Sequence, residues 1–375
     1  MLIGLFKEGE SENRVALLPE IVSSLTKRKV EVLVETGAGE SAFATDAAYK
    51  EAGATVSTRE EVLKKADFLI GIQPPDKKFV EALDQSKMWL SQYNPMWNTD
   101  LVKQFVSKGI TTFSMDTIPR STRGQAMDVL SSQATVAGYK AVLEAAFTLP
   151  SFFPMFMTAA GTIRPATVLV LGAGVAGLQA IAIARKLGAQ VQAFDVRSAV
   201  KEEVRSLGAR FVEVEGAKED AAAGGYAVEQ TDEFKQKQQQ AINDHAAKAS
   251  VVICTAQIPG RKAPLLLPKE AVAAMKPGSV IIDLAASTGG NCELTQDNKT
   301  VVEHGVTIIG QSNYPSLMPA DASKMFGKNI LNFLELLFNE EGEFNLNFDD
   351  DIIKGTCITH GGEIINERVK SAVQS

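Results

Sequence analysis

A glycine-rich segment between a predicted strand and a predicted helix constrains the fold of this chain more than any other feature. Residues 167–195, TVLVLGAGVAGLQAIAIARKLGAQVQAFD, carry Gly172, Gly174 and Gly177 in the spacing G-x-G-x-x-G. The spacing alone is weak evidence. Here it follows an apolar strand, opens an apolar helix and precedes a second strand that ends at Asp195, 18 residues after Gly177. This context predicts the first βαβ unit of a Rossmann domain that binds a dinucleotide.

The three glycines have different predicted roles. Gly172 permits the tight turn, Gly174 lets the backbone approach the pyrophosphate, and Gly177 lets the helix pack closely on the strand. The N-terminus of the helix is predicted to face the phosphates, and Val175 is among the predicted cofactor-binding residues.

The end of the second strand predicts which nicotinamide cofactor binds. Asp195 is expected to accept hydrogen bonds from the adenosine ribose hydroxyls and to repel a 2′-phosphate, with Val196 beside it in the cofactor site. This favours NAD(H) over NADP(H). Arg197 leaves the alternative open, because its guanidinium can face a phosphate.

Composition excludes several classes of protein. A chain of 375 residues with a net charge of -7 is long enough for two domains and carries no basic stripe for a nucleic acid. No apolar run reaches the roughly 18–20 residues that span a bilayer. The cysteines and histidines are too scattered for metal-ligand spacing, so no metal site is expected; they are Cys254, Cys292, Cys357, His245, His304 and His360.

Short β-branched segments alternate with helical patterns along most of the chain, which predicts βαβ units and mostly parallel sheets. The predicted fold is α/β, with two Rossmann-like, doubly wound parallel-sheet domains. A central NAD(H)-binding Rossmann domain, residues 133–314, is inserted into a discontinuous domain of residues 1–132 plus 315–375. The cofactor is expected in the cleft between them. Residues 345–365 are predicted to form a closing pair of strands around a Gly361–Gly362 turn.

Five segments resemble one family over essentially the whole chain. They are PRSTRGQAMDVLSSQATVAGYKAV, MTAAGTIRPATVLVLGAGVAGLQAIA, GGYA, MKPGSVIIDLA and GGNCEL. They resemble the NAD(H)-binding component, domain I, of proton-translocating NAD(P) transhydrogenase, in the form of a separate alpha-1 subunit.

The resemblance implies that the chain binds NAD(H) and forms a homodimer. It also implies a cytoplasmic protein that associates peripherally with the inner membrane. The hydride of NADH would pass directly to NADP+ on an NADP(H)-binding component, in the Re/Si-specific manner of the family. A membrane-spanning component would couple this step to proton translocation. A non-catalytic NAD(H)-binding regulator is a further hypothesis, and it predicts binding without turnover.

Alanine dehydrogenases share the N-terminal pattern KEGESENRVALLPE, so a stand-alone amino-acid dehydrogenase is the alternative. Those enzymes use a lysine and a histidine, and the corresponding positions here carry Gln73 and, on a looser alignment, Asn94. Neither side chain supplies general acid–base catalysis. Lys7 and Arg14 remain, and a structural role is expected for both.

The resemblance also implies the residues that hold the nicotinamide end of the cofactor. Arg120, Gln125 and Asp128 are expected to hold the ring and its ribose with Ser131 alongside, and Gln125 would reach the ring at the interface with the NADP(H) component. Arg123 is expected to contact the pyrophosphate. The alternative is an exposed polar turn in which Asp128 and Ser131 cap a helix.

Residues 213–234 are irregular and rich in glycine and alanine, as lids and disordered loops are. By resemblance, Gly225 would approach the adenosine and Tyr226 would fold over the site.

Gln238 matches a position near the adenine pocket, although a solvated helix face also explains it. Gln257 stands where the family commonly has leucine, so a packing contact with adenine there is open. The Gly289–Gly290 pair fits either a pocket wall or a plain tight turn.

Overall fold

The computed structural model describes residues 1–214, 231–258 and 260–374. The predicted α/β fold, with a central domain inserted into a discontinuous one, is confirmed. The chain forms two compact units: unit 1 comprises Met1–Gln133 and Pro315–Ser375, and unit 2 comprises Ala134–Tyr314. Among the helices of the described ranges, none combines the length and the apolar character needed to cross a bilayer.

The secondary structure alternates regularly. The strands are β1 (Leu2–Leu5), β2 (Glu31–Glu35), β3 (Thr55–Ser57), β4 (Phe68–Ile70), β5 (Met88–Ser91), β6 (Thr111–Ser114), β7 (Phe156–Thr158), β8 (Gly161–Ile163), β9 (Thr167–Leu171), β10 (Gln190–Phe194), β11 (Arg210–Phe211), β12 (Val251–Cys254), β13 (Val280–Asp283), β14 (Thr300–Glu303), β15 (Val306–Ile309), β16 (Cys357–His360) and β17 (Glu363–Ile364). The helices are α1 (Pro19–Lys27), α2 (Asp46–Glu51), α3 (Arg59–Lys65), α4 (Lys77–Ala82), α5 (Thr99–Ser107), α6 (Val129–Thr148), α7 (Val175–Lys186), α8 (Lys201–Ser206), α9 (Asp232–Ala246), α10 (Lys269–Ala273), α11 (Pro319–Leu337), α12 (Asp351–Thr356) and α13 (Glu367–Gln374).

Unit 1 is built on a sheet in the order β17-β16-β6-β5-β4-β1-β2-β3. β1 to β6 run parallel, whereas β16 and β17 are antiparallel to their neighbours. Successive side chains point to opposite faces, so Phe68 and Ile70 enter one hydrophobic cluster and Leu69 enters another. Both faces of the sheet are therefore covered, as expected for a doubly wound fold.

Unit 2 has a sheet in the order β11-β10-β9-β12-β13-β15-β14, parallel except for β14. Val168 and Val170 of β9 face one cluster, while Leu169 and Leu171 face the other. Strand order reverses between β9 and β12, where ligands of open α/β sheets bind.

Two segments differ from the sequence-based prediction. The predicted strand pair near the C-terminus is confined to β16 and β17, joined by Gly361 and Gly362 with φ of 57° and 82°. Residues 351–356 just before it form helix α12, because Asp350 caps the helix by accepting from the amides of Ile352 and Ile353. The antiparallel hairpin of β7 and β8 is absent from the sequence-based prediction.

Candidate functional site

The glycine fingerprint lies at the junction of β9 and α7. Gly172 has φ of 100°, in the left-handed region that favours glycine. A Cβ added at Gly177 would lie 1.9 Å from the carbonyl oxygen of Gly172, so only glycine fits where the helix meets the strand. A Cβ at Gly174 would meet nothing within 4 Å. Gly174 precedes α7, and the first residue of that helix, Val175, is exposed. An open space beside helix N–H groups suits a pyrophosphate.

The fingerprint lies at the reversal of strand order. Thr255, directly after β12, donates from its hydroxyl to the carbonyl oxygen of Gly172 at 2.9 Å. This bond ties the carboxyl ends of β9 and β12 together at the position where doubly wound sheets bind nucleotides.

Asp195 and Arg197 form a bidentate ion pair within unit 2. The Arg197 guanidinium donates to the two carboxylate oxygens of Asp195 at 2.9 Å from Nε and 2.7 Å from Nη2, and the Ala173 amide donates to Oδ2 at 2.8 Å. These hydrogen bonds to the Asp195 carboxylate raise the pKa of Arg197. The carboxylate is thus oriented toward the glycine turn, with Val196 half-buried beside it.

The strand-end turns of unit 2 are held by a buried carboxylate. Asp283 accepts hydrogen bonds from the amides of Ala285, Asn291 and Cys292 at 2.8–3.0 Å, although burial raises its pKa. Asn291 in turn holds the loop after β12 through both backbone groups of Ala256.

The Gly289–Gly290 pair has the geometry of a tight turn. The φ angles are 103° and 76°, and a Cβ at Gly290 would lie 2.9 Å from Asp283 Oδ2. Gln257 is exposed and donates to the carbonyl oxygen of Leu284 at 2.8 Å.

The remaining residues predicted for the adenosine side are Gln238, Gly225 and Tyr226. Gln238 lies in α9 and is half-buried. Gly225 and Tyr226 lie outside the described residues.

The polar loop of unit 1, residues 120–131, contains a short 3₁₀ helix from Gly124 to Met127. Met127 is buried in the core, whereas Gln125 is exposed. Gly124 is enclosed, since a Cβ there would lie 2.3 Å from the carbonyl oxygen of Pro119. The loop is therefore a fixed turn that presents the Gln125 side chain to solvent.

Two predicted site residues of this loop have local partners. Asp128 precedes α6 and accepts from the amide of Ser131 at 3.0 Å and from its hydroxyl at 2.6 Å, as a helix cap does. Arg123 forms ion pairs with Asp350 and Asp351 of the C-terminal segment, at 3.3 Å for Asp351. Arg120 is exposed.

Gln73, predicted to stand at the lysine position of the dehydrogenases, belongs to a cluster with Glu12 and Arg14. Gln73 donates from Nε2 to Glu12 at 2.7 Å. Glu12 also pairs with Arg14 at 2.6 Å, and Arg14 donates from Nη1 to Gln133 at 2.8 Å. Glu8 accepts from the amides of Ile72 and Gln73, and burial raises the pKa of Glu8 to about 7.

The other two residues of the dehydrogenase comparison lie apart from that cluster. Asn94 adopts φ of 45° in a turn whose carbonyl accepts from the amides of Trp97 and Asn98. Lys7 is exposed, 3.6 Å from Glu40.

These features define a Rossmann-type α/β protein with a dinucleotide fingerprint at its strand reversal. Two family models match the chain: the alanine dehydrogenase/PNT N-terminal domain over residues 4–137 and the C-terminal domain over residues 141–367. The chain belongs to the alanine dehydrogenase/PNT family.

Within the family, similarity is greater to transhydrogenase subunits. The chain is 45% identical to the first part of the NAD(P) transhydrogenase subunit alpha of Rhodospirillum rubrum, over 98% of each chain. The alanine dehydrogenase of Mycobacterium tuberculosis is 28% identical over 98% of this chain and 96% of its own length. The crystal structure of a transhydrogenase from Sinorhizobium meliloti matches with a TM-score of 0.88 and 41% identity, over 97% of this chain and all of that one. The resemblance inferred from sequence is confirmed.

Proposed function

We propose that this chain is the NADH-binding component of a proton-translocating NAD(P) transhydrogenase. NADH would give its hydride directly to NADP+ held on a separate component. A membrane-spanning component would couple that step to proton translocation. The observation that carries the proposal is the 45% identity to a transhydrogenase alpha subunit over nearly the whole of both chains.

The polar loop of unit 1 supports direct hydride transfer. A hydride that passes between two nicotinamide rings leaves no oxygen or nitrogen to protonate, so the protein supplies orientation rather than a proton shuttle. Arg120, Gln125, Asp128 and Ser131 offer guanidinium, amide, carboxylate and hydroxyl groups suited to that task. The exposed side chain of Gln125 is our candidate for the group that reaches the ring at the partner interface. The cap that Asp128 provides to α6 is compatible with a second contact, because a carboxylate has further lone pairs.

The fingerprint of unit 2 supports NAD(H) as the cofactor bound by this chain. Gly172, Gly174 and Gly177 would hold the pyrophosphate at the start of α7, and Asp195 would accept from the ribose hydroxyls. Arg197 is paired with Asp195, which supports NAD(H) over NADP(H) because a 2′-phosphate would have to displace the carboxylate. Val175, Val196, Gln238 and Gln257 complete the proposed cofactor site, together with Gly225 and Tyr226 outside the described residues.

The contacts of Arg123 make it a weaker candidate for the pyrophosphate. Its guanidinium is already shared by two carboxylates. A phosphate contact would require that ion pair to open.

A stand-alone alanine dehydrogenase is less well supported. Gln73 occupies the lysine position and is bonded to Glu12, and Asn94 lies in a left-handed turn. Neither amide transfers a proton near neutral pH. Each of the three guanidinium nitrogens of Arg14 donates to Glu12 or Gln133, which favours a structural role.

We infer that the chain forms a homodimer through the hairpin of β7 and β8. No charged residue occurs between Glu144 and Arg164. The side chains of Phe152, Met155, Phe156 and Met157 are 41–75% exposed. A contiguous uncharged and apolar projection of this kind is typical of an obligate interface.

The proposed function is tested by mixing the chain with a soluble NADP(H)-binding component. We expect NADH to reduce a spectroscopically distinct NADP+ analogue. The variant Gln125→Asn shortens the amide arm and is expected to lower the rate at least ~10-fold. The variant Thr122→Ser, at an exposed position of the same loop, is the matched control and should keep the wild-type rate.

Two other outcomes separate the competing hypotheses. Absence of hydride transfer with well-folded components contradicts the proposal. NADH oxidation by the isolated chain with pyruvate and ammonia would establish the dehydrogenase, and NADH binding without turnover in either assay would favour a regulator.

A further inference from the structure

Two asparagines of helix α11 hold the polar loop of unit 1 by donating hydrogen bonds to the same atom. Asn329 and Asn332 each donate from Nδ2 to the carbonyl oxygen of Ala126 at 2.8 Å. A carbonyl oxygen has two lone pairs, so both bonds form together. Residues three apart on a helix share a face, which explains how one carbonyl receives both amides.

Ala126 directly follows Gln125, the residue proposed to reach the nicotinamide ring. The backbone of Gln125 is also fixed on its other side, because its amide donates to the carbonyl oxygen of Ser121 at 3.1 Å. The carbonyl of Gln125 accepts from the amide of Asp128 at 3.3 Å. With Ala126 anchored, the Cα–Cβ direction of Gln125 is determined while its side chain stays exposed.

Core packing does not account for the two asparagines. Asn329 is 8% exposed, and within the described residues its Oδ1 atom is buried without a hydrogen-bond partner. A half-satisfied buried amide costs stability, and asparagine is a poorer helix former than leucine or alanine. Asn332 is half-exposed and lies on the same helix among apolar residues, NILNFLELL. The hydrogen bonds to the Ala126 carbonyl explain both asparagines better than a contribution to the stability of the fold does.

We propose that Asn329 and Asn332 are positioning residues for hydride transfer, which hold the Ala126 carbonyl and so set the direction in which Gln125 projects. This proposal rests on the proposed function. Neither residue touches the cofactor; both act through the loop. Because misplacing a reacting group by about 1 Å costs up to ~100-fold in rate, loss of the clamp should lower turnover while leaving NADH affinity nearly intact.

The test uses Asn332→Asp, which keeps the size of the side chain, removes the donor and places a carboxylate oxygen against the Ala126 carbonyl. The position is half-exposed, so folding should survive. With the NADP(H)-binding component at saturation, we expect the hydride-transfer rate to fall ~10-fold, with the NADH dissociation constant changed less than ~3-fold. Amide exchange of residues 124–128 should accelerate, because the loop loses an anchor.

Two further variants sharpen the result. Lys328→Ala changes an exposed side chain on the same helix and should leave rate, affinity and exchange unchanged. The double variant Asn329→Ala/Asn332→Ala should slow transfer further than either single change.

A wild-type rate in Asn332→Asp overturns the proposal, and so does a rate loss that is matched by an equal loss of NADH affinity. If the wild-type protein gives no hydride transfer at all, the proposed function fails and this proposal fails with it, whereas a failure of this proposal alone leaves wild-type transfer intact.

Discussion

At the scale of single residues, the pairing of Asp195 with Arg197 is the contact with the clearest functional consequence. The carboxylate holds the guanidinium in a bidentate ion pair beside the glycine turn. A guanidinium freed from that pair is a strong ligand for a phosphate. We therefore expect cofactor choice to depend on which group Arg197 binds, and not only on repulsion by Asp195.

The variant Asp195→Ser should exchange the cofactor preference. Loss of a charged hydrogen-bond acceptor is worth about 1.5–3 kcal/mol, so NADH binding should weaken roughly 10- to 100-fold. NADPH binding should strengthen, because Arg197 becomes available to the 2′-phosphate. Both affinities are measured by fluorescence titration. The double variant Asp195→Ser/Arg197→Ala should lose the NADPH gain, and an unchanged preference for NADH in the single variant would contradict the assignment.

Glu8 should make stability depend on pH near neutrality. Burial raises its pKa from 4.5 to about 7, opposed by the amides of Ile72 and Gln73; Glu12 raises it slightly and Arg14 lowers it. Between these two values the folded state binds more protons than the unfolded state, so the free energy of unfolding falls as pH rises from about 4.5 to about 7. At about 1.4 kcal/mol per pKa unit, the loss is at most a few kcal/mol and is reduced by the solvent exposure of this half-buried group.

Urea unfolding of the wild type and of Glu8→Gln across pH 4.5–8 measures this effect. The stability difference between the two proteins should change in that window and be flat above about pH 8. Other carboxyls whose pKa burial raises, such as Asp283, are present in both proteins and cancel. A difference that stays constant with pH would show that Glu8 does not titrate there.

At the scale of elements, two glycines at the junction of β9 and α7 are expected to have different roles, Gly177 in folding and Gly174 in cofactor binding. In Gly177→Ala the new Cβ would lie 1.9 Å from a backbone oxygen, so the helix must move and the unfolding midpoint should drop strongly. In Gly174→Ala the Cβ meets nothing and φ is -78°, so stability should be retained. NADH binding should nevertheless weaken, because the methyl group enters the space proposed for the pyrophosphate.

Thermal unfolding and NADH titration of the two glycine variants make a matched pair. A Gly174→Ala protein that binds NADH with wild-type affinity would remove that glycine from the phosphate site. A Gly177→Ala protein with the wild-type unfolding midpoint would show that α7 can move away from β9 without loss of stability.

The same elements show what sequence alone predicts. The fingerprint, its strand and helix, and the covering of both sheet faces follow from local spacing and alternation, which are properties of neighbouring residues. The pairing of Arg123 with Asp350 and of Ala126 with Asn329 joins residues more than 200 positions apart, and spacing carries no signal for such contacts. The prediction of a strand over residues 351–356 is wrong, because these residues form α12. The capping residue Asp350 stands within a run of acids that is typical of a turn, so the sequence does not mark a helix start there. The hairpin of β7 and β8 gives no sequence signal, because its strands are three residues long and exposed on both faces.

At the scale of the whole molecule, the exposed hairpin predicts the oligomeric state. Met157, at 75% exposed, lies on β7 and should be buried against a second copy. The variant Met157→Glu should convert a dimer into a monomer at micromolar concentration, measured by sedimentation velocity, because an unpaired charge is costly in an apolar interface. Val302→Glu, on the exposed edge strand β14 of the same unit, is the control and should remain dimeric. A dimeric Met157→Glu protein would place the interface elsewhere.

The discontinuous first unit also has a consequence for how the chain is made. Strand β6 is complete by Ser114, but its partner β16 begins only at Cys357, so the ribosome must add 243 residues before this edge is paired. At about 5–20 residues per second, the nascent chain carries an open sheet edge for roughly 12–50 s. The inserted unit can fold in that interval, whereas the first unit waits for its last strands. We therefore expect newly synthesised chains to bind chaperones that shield strand edges. A premature stop codon ahead of Cys357 would leave the edge of β6 unpaired and prone to aggregation.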